Sequence, residues 1–169
     1  LGVDPTKIAI GGSSAGAATS LLVGYFLDDL QLIKKGSISA VIDMWGSLLV
    51  ETTYIQTDDP ALFITHGSND NVVPITKAHE LSDRASSIQL PHQVHIVANA
   101  EHGYALNTTI DSSGETVFSH MLTFLYQHVV LSEDANLVTP TLGIASLALL
   151  AIFLIYIQLI RRQSSDQLN

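Results

Sequence analysis

The 169-residue chain contains no cysteine. That removes thiolate catalysis, disulfide staples and thiolate metal sites together, but it assigns no compartment, because a cysteine-free domain is permitted anywhere. Positive charge is scarce as well: 7 Lys and Arg stand against 16 Asp and Glu, a formal net charge of −9. Up to Pro140 the basic residues are only Lys7, Lys34, Lys35, Lys77 and Arg84. The globular part is therefore acidic, and nucleic acid is not an expected partner. No internal repeat is present. The chain also opens at Leu1 without an initiator methionine or a charged segment followed by an apolar run. It reads as a piece of a longer protein, with any signal peptide lying upstream.

What is present is an alternation of short apolar runs with amphipathic ones. Strands are expected at Lys7–Gly11, Ile38–Met44, Ala61–His66 and Gln93–Ala98, and helices at Ala15–Leu32, Thr76–Ser87 and Gly114–Val130. Such alternation predicts an α/β fold, a parallel sheet covered by helices.

Beyond Leu131 the pattern changes. A polar linker, residues 132–140, leads into TLGIASLALLAIFLIYIQLI at 141–160, a run of 20 residues without a charge. As a helix it would extend roughly 30 Å, the thickness of a bilayer hydrocarbon core. Glu133 and Asp134 precede it, and Arg161 and Arg162 follow directly. The positive-inside bias then puts the tail, residues 161–169, in the cytosol and residues 1–131 on the lumenal or extracellular side. A tail anchor leaving residues 1–131 in the cytosol is the competing topology.

Between the first strand and first helix lies IAIGGSSAGAA, in which Gly12, Ser14 and Gly16 form GxSxG. A strand-to-helix turn of small residues is the setting of a nucleophile elbow, with small residues letting strand and helix approach while Ser14 turns outward. The helix N-terminus offers the Ala15 amide as a candidate oxyanion donor. Glycine-rich turns at helix starts also bind phosphates, but those usually add a lysine or a longer glycine run. Further along come HGSNDNVVP, with Asp70 past the third strand, and NAEHGYA, with His102 past the fourth. The order Ser14, Asp70, His102, each after the C-terminal end of its own strand, is one that a parallel sheet gathers into a single crevice.

On DPTKIAIGGSSAG, HGSNDNVVP and AEHGY, which cover most of residues 3–130, the chain resembles the α/β-hydrolase superfamily, and within it the esterase, dienelactone-hydrolase and prolyl-oligopeptidase-like branches. The resemblance implies Ser14 as nucleophile, His102 as general base and then acid, and Asp70 as the carboxylate orienting the imidazole. It also implies the C-terminal half of the hydrolase sheet, because members carry several strands before the elbow and draw a second oxyanion amide from an early loop. No cofactor or metal is expected. The substrate expected is a small carboxylic ester; a peptidase or amidase with the same residues, or a noncatalytic adhesion or receptor ectodomain on this fold, are the alternatives.

Other residues have plainer readings. Asp43, at the end of the second strand, is the runner-up for the acid. His66 is expected to be structural. His79, His92, His95, His120 and His128 show no metal-ligand spacing and read as surface or satisfied polar residues. Met44 and Trp45 are candidates for an acyl pocket or for core. Asn107-Thr108-Thr109 fits the N-glycosylation pattern, which carries weight only if this part of the chain is translocated.

Overall fold

The computed structural model describes residues 4–27, 30–110 and 114–131. All belong to the unit Leu1–Leu131; Ser132–Asn169 forms a second unit. The expected linker, membrane span at 141–160 and tail lie outside the described residues. Among those described, no helix is long and apolar enough to cross a membrane.

The described unit is an α/β fold. Strands β1 (Ala9–Ser13), β2 (Ala40–Met44), β3 (Ala61–Gly67) and β4 (His92–Val97) pair in sequence order, and every pairing is parallel. Helix α1 (Ala15–Tyr25) follows β1, α2 (Thr76–Ser87) joins β3 to β4, and α3 (Val117–Leu125) follows β4 and runs into a π-helical turn at Tyr126–Val130.

Strand periodicity divides the core into two layers. On one face Val41, Leu62 and Ile64 pack with Leu21 and Tyr25 of α1 and Ala78, Leu81 and Ala85 of α2. On the other, Ala40, Ile42, Ala61 and Phe63 pack with Val117 and Phe124 of α3. With helices on both faces, β3 is buried along its whole length, which is why ALFIT reads as a continuous apolar run. β1 and β4 are the two edge strands, and among the described residues neither is paired on its outer side.

Some boundaries move from the sequence expectation. β1 begins and ends two residues later, so it delivers the chain directly into Ser14. α1 stops at Tyr25 rather than Leu32. The amides of Phe26 and Leu27 both donate to Leu22 O, so the last turn loosens, and Leu30 is half exposed. The sequence that follows, with acidic residues at 28 and 29, also disfavours continuation, because negative charge is unfavourable near a helix C-terminus. α3 starts at a Thr116 cap, whose hydroxyl accepts from Ser119 N–H while the Ser119 hydroxyl accepts from Thr116 N–H.

Candidate active site

The C-terminal ends of the four strands all open on one rim of the sheet. Ser14, the residue between β1 and α1, has φ 52° and ψ −118°. A non-glycine residue there is strained by about 1–3 kcal/mol, and the strain persists only where surroundings enforce it. They do so here: Ser14 N–H donates to Met44 O at 2.9 Å, and Ala18 N–H donates to Ser14 O at 3.0 Å. Gly12 makes the close approach possible, since a Cβ on it would sit 2.4 Å from the Gly16 carbonyl carbon. Gly16 contributes no such close approach, since an added Cβ there meets nothing within 4 Å.

The three residues singled out in the sequence meet. His102 Nε2 lies 2.8 Å from Ser14 Oγ, and His102 Nδ1 lies 2.8 Å from Asp70 Oδ2. Ionised Asp70 can only accept, so Nδ1 carries the hydrogen in this contact and Nε2 presents its lone pair to the Ser14 hydroxyl. The other Asp70 oxygen, Oδ1, accepts from Val72 N–H and Val73 N–H, both at 2.8 Å. Burial pulls the Asp70 carboxyl upward, but the His102 bond and these two amides outweigh it and hold the group below the usual carboxylate range. Ala15 is the first residue of α1, so its amide is among those with no acceptor within the helix.

Two contributors were not singled out as site residues. His66 is fully buried; its Nε2 is 2.9 Å from Val73 O and 3.3 Å from Asp70 Oδ2. It therefore braces the loop that wraps the carboxylate, a structural role as expected, but one that touches the acid. Gly67 lets the end of β3 approach the loop carrying His102: a Cβ there would lie 2.4 Å from Ala100 O. The HG pair at 66–67 was the available signal. Asp43 is not within the Ser14–His102–Asp70 chain; it is buried, and its Oδ1 accepts from Gly46 N–H at 2.8 Å. Asn107 is exposed, at a turn of the loop that holds His102.

A family model described as the dienelactone hydrolase family matches residues 4–129. No curated protein matches the chain. Among solved structures, a truncated carbohydrate esterase from gut microbiota is 17% identical with a TM-score of 0.59, over 76% of this chain and 61% of that one. A carboxylesterase from Lactobacillus plantarum is 15% identical with a TM-score of 0.56, over 79% of this chain and 60% of that one. A puromycin-hydrolysing peptidase from Mycobacterium tuberculosis is 18% identical with a TM-score of 0.55, over 75% of this chain but only 22% of that one. At these identities the likeness is one of fold. The chain spans about six-tenths of the length of the first two.

Proposed function

Because this chain belongs to the dienelactone hydrolase family, we propose that it carries the catalytic residues of a membrane-anchored serine hydrolase that cleaves small carboxylic esters. The observation that carries the reading is the unbroken contact chain from Ser14 Oγ through His102 to Asp70, at 2.8 Å for each link. In this reading Ser14 Oγ attacks the ester carbonyl as His102 Nε2 takes its proton. The tetrahedral oxyanion collapses and expels the alcohol, which receives that proton. Water, deprotonated by the same imidazole, then releases the acid from the acyl-enzyme. Asp70 keeps the Nδ1 hydrogen in place and stabilises the imidazolium. The Ala15 amide donates to the oxyanion, aided by the α1 N-terminus.

One amide is half of the usual oxyanion pair. The open edge of β1 and the greater length of the structural neighbours support a second element of the proposal. The described unit is the C-terminal half of the hydrolase sheet, and a further strand of the same protein lies along β1 and brings the second donor beside Ser14. Residues 141–160 are the anchor, and the Arg161–Arg162 pair sets the hydrolase unit on the lumenal or extracellular side.

The test is labelling of the complete protein with a fluorophosphonate, with hydrolysis of p-nitrophenyl acetate measured in parallel. Wild type should be labelled at Ser14, and Ser14→Ala should lose both signals. Labelling that survives in Ser14→Ala places the nucleophile elsewhere. Absence of labelling in folded wild type favours a noncatalytic ectodomain. A p-nitroanilide substrate turned over as fast as the ester would move the reaction to amides.

A further inference from the structure

Between Gly103 and Ala105 the loop that carries His102 sends one aromatic side chain back into the protein. We infer that Tyr104 is a positioning residue for His102, clamped between the Trp45 ring and the Thr65 hydroxyl so that the imidazole reaches Ser14 and Asp70 together. The inference rests on the hydrolase reading above.

His102 must satisfy two contacts at once, yet it sits next to Gly103, whose φ of 80° is left-handed backbone and which has no side chain to pack the loop in place. Before it, the loop is tied by Ala100 N–H to Val97 O at 3.3 Å and by Asn69 N–H to Ala100 O at 2.9 Å. After it, the first anchor is Tyr104. Its ring lies 4.6 Å from that of Trp45, tilted by 56°, and its hydroxyl is hydrogen-bonded to Thr65 Oγ1. Both ends of the clamp are themselves fixed. Thr65 is fully buried in β3. Trp45 is buried with φ 47°; its N–H donates to Thr65 O at 2.7 Å, and its turn is closed by Gly46 N–H to Asp43 Oδ1. The clamp thus joins the ends of β2 and β3 to the loop leaving β4, and Asp43 belongs to it rather than to the acid–imidazole contact. Burial pushes the Tyr104 hydroxyl up to about 12, with Asp43 and Asp70 reinforcing and the Thr65 bond opposing, so it stays protonated at neutral pH.

The experiment measures kcat, KM, the pH profile of kcat/KM and the fluorophosphonate inactivation rate in the complete protein, with thermal unfolding as a check of folding. Tyr104→Ala should lower kcat and the inactivation rate about 100-fold, the scale of a misplaced catalytic group. KM for a small ester should hold, and the acid limb of the profile should be displaced. Tyr104→Phe keeps the ring contact and removes only the hydroxyl, so its loss should be about tenfold, and Thr65→Val should match it. Because both remove one hydrogen bond, the double variant should be no worse than either single one. Wild-type inactivation rate in Tyr104→Ala would overturn the inference. So would a loss explained by a smaller folded fraction, with the acid limb unmoved. Wild type that is not labelled at Ser14 would instead sink the hydrolase reading, and this inference with it.

Discussion

At Asp70 both carboxylate oxygens are occupied, one by His102 and the other by the Val72 and Val73 amides. At Asp43, one strand away, Oδ1 takes the Gly46 amide while Oδ2 is buried with no partner among the described residues. The two acids that compete in the sequence are thereby separated by partner count: Asp70 is held below the usual range, whereas burial pushes Asp43 up to about 7. Asp70→Asn should lower kcat/KM by about 10³- to 10⁴-fold, as loss of a triad acid does, and Asp43→Asn by far less. Their pH dependences of stability run in opposite directions. A lowered folded pKa at Asp70 contributes stability above the unfolded value that is lost as pH falls through the folded one. Asp43, raised, binds its proton more tightly in the folded state, so its contribution declines as pH rises from about 4 towards 7 and stays low above that. Asp43→Asn should therefore gain stability over wild type with rising pH, on the order of 2–4 kcal/mol by pH 8. Thermal unfolding of both proteins from pH 5 to 8 checks this, and a gap that does not widen with pH would mean an ionised, solvated Asp43.

The elements legible in the sequence were those whose apolar pattern coincides with burial. β3 and α2 follow directly from ALFIT and from the Ala78, Leu81, Ala85 spacing. α1 is shorter than its apolar spacing predicts because Leu30 continues the helical spacing without being buried, and pattern alone does not distinguish the two. The three meeting residues were legible because each follows a strand, and parallel strands bring their C-terminal ends to one rim. The support around them was not, since it depends on close approaches that only the packed molecule reveals. Gly67 and Gly16 make the difference testable. Gly67→Ala would drive a Cβ against the Ala100 and Glu101 carbonyls, 2.4 and 2.7 Å away, immediately before His102. It should destabilise the protein by about 1–3 kcal/mol and lower kcat. Gly16→Ala, in open space inside α1, should instead raise stability by up to about 1 kcal/mol. Denaturant unfolding of the two variants measures both. Equal destabilisation would show that Gly16 is also packed against something in the complete protein.

On the scale of the molecule, the sheet leaves the outer edges of β1 and β4 unpaired among the described residues, and beside β1 lies an apolar groove lined by Ala9, Leu122, Leu125, Tyr126, Val129 and Val130. An open edge next to exposed apolar side chains invites association, which is the reason to propose that further strands of the same protein cover it. The proposed anchor bears on the same unit from the other end of the chain. If residues 141–160 span a bilayer with Arg161 and Arg162 on the cytosolic side, the hydrolase unit is translocated and Asn107, exposed on the His102 loop, meets the glycosylation machinery. In sealed microsomes carrying the complete protein, added protease should then remove only the short tail and leave the hydrolase unit intact. Glycosidase should increase the mobility of wild type and not of Asn107→Gln. A hydrolase unit digested from outside while the tail is protected would reverse the orientation, since the two arginines would then have crossed the membrane. Equal digestion of both parts in unopened vesicles, with the protein released by carbonate, would remove the anchor from the proposal. The ester-cleaving reading would stand, because it rests on Ser14, His102 and Asp70 and not on where the chain is held.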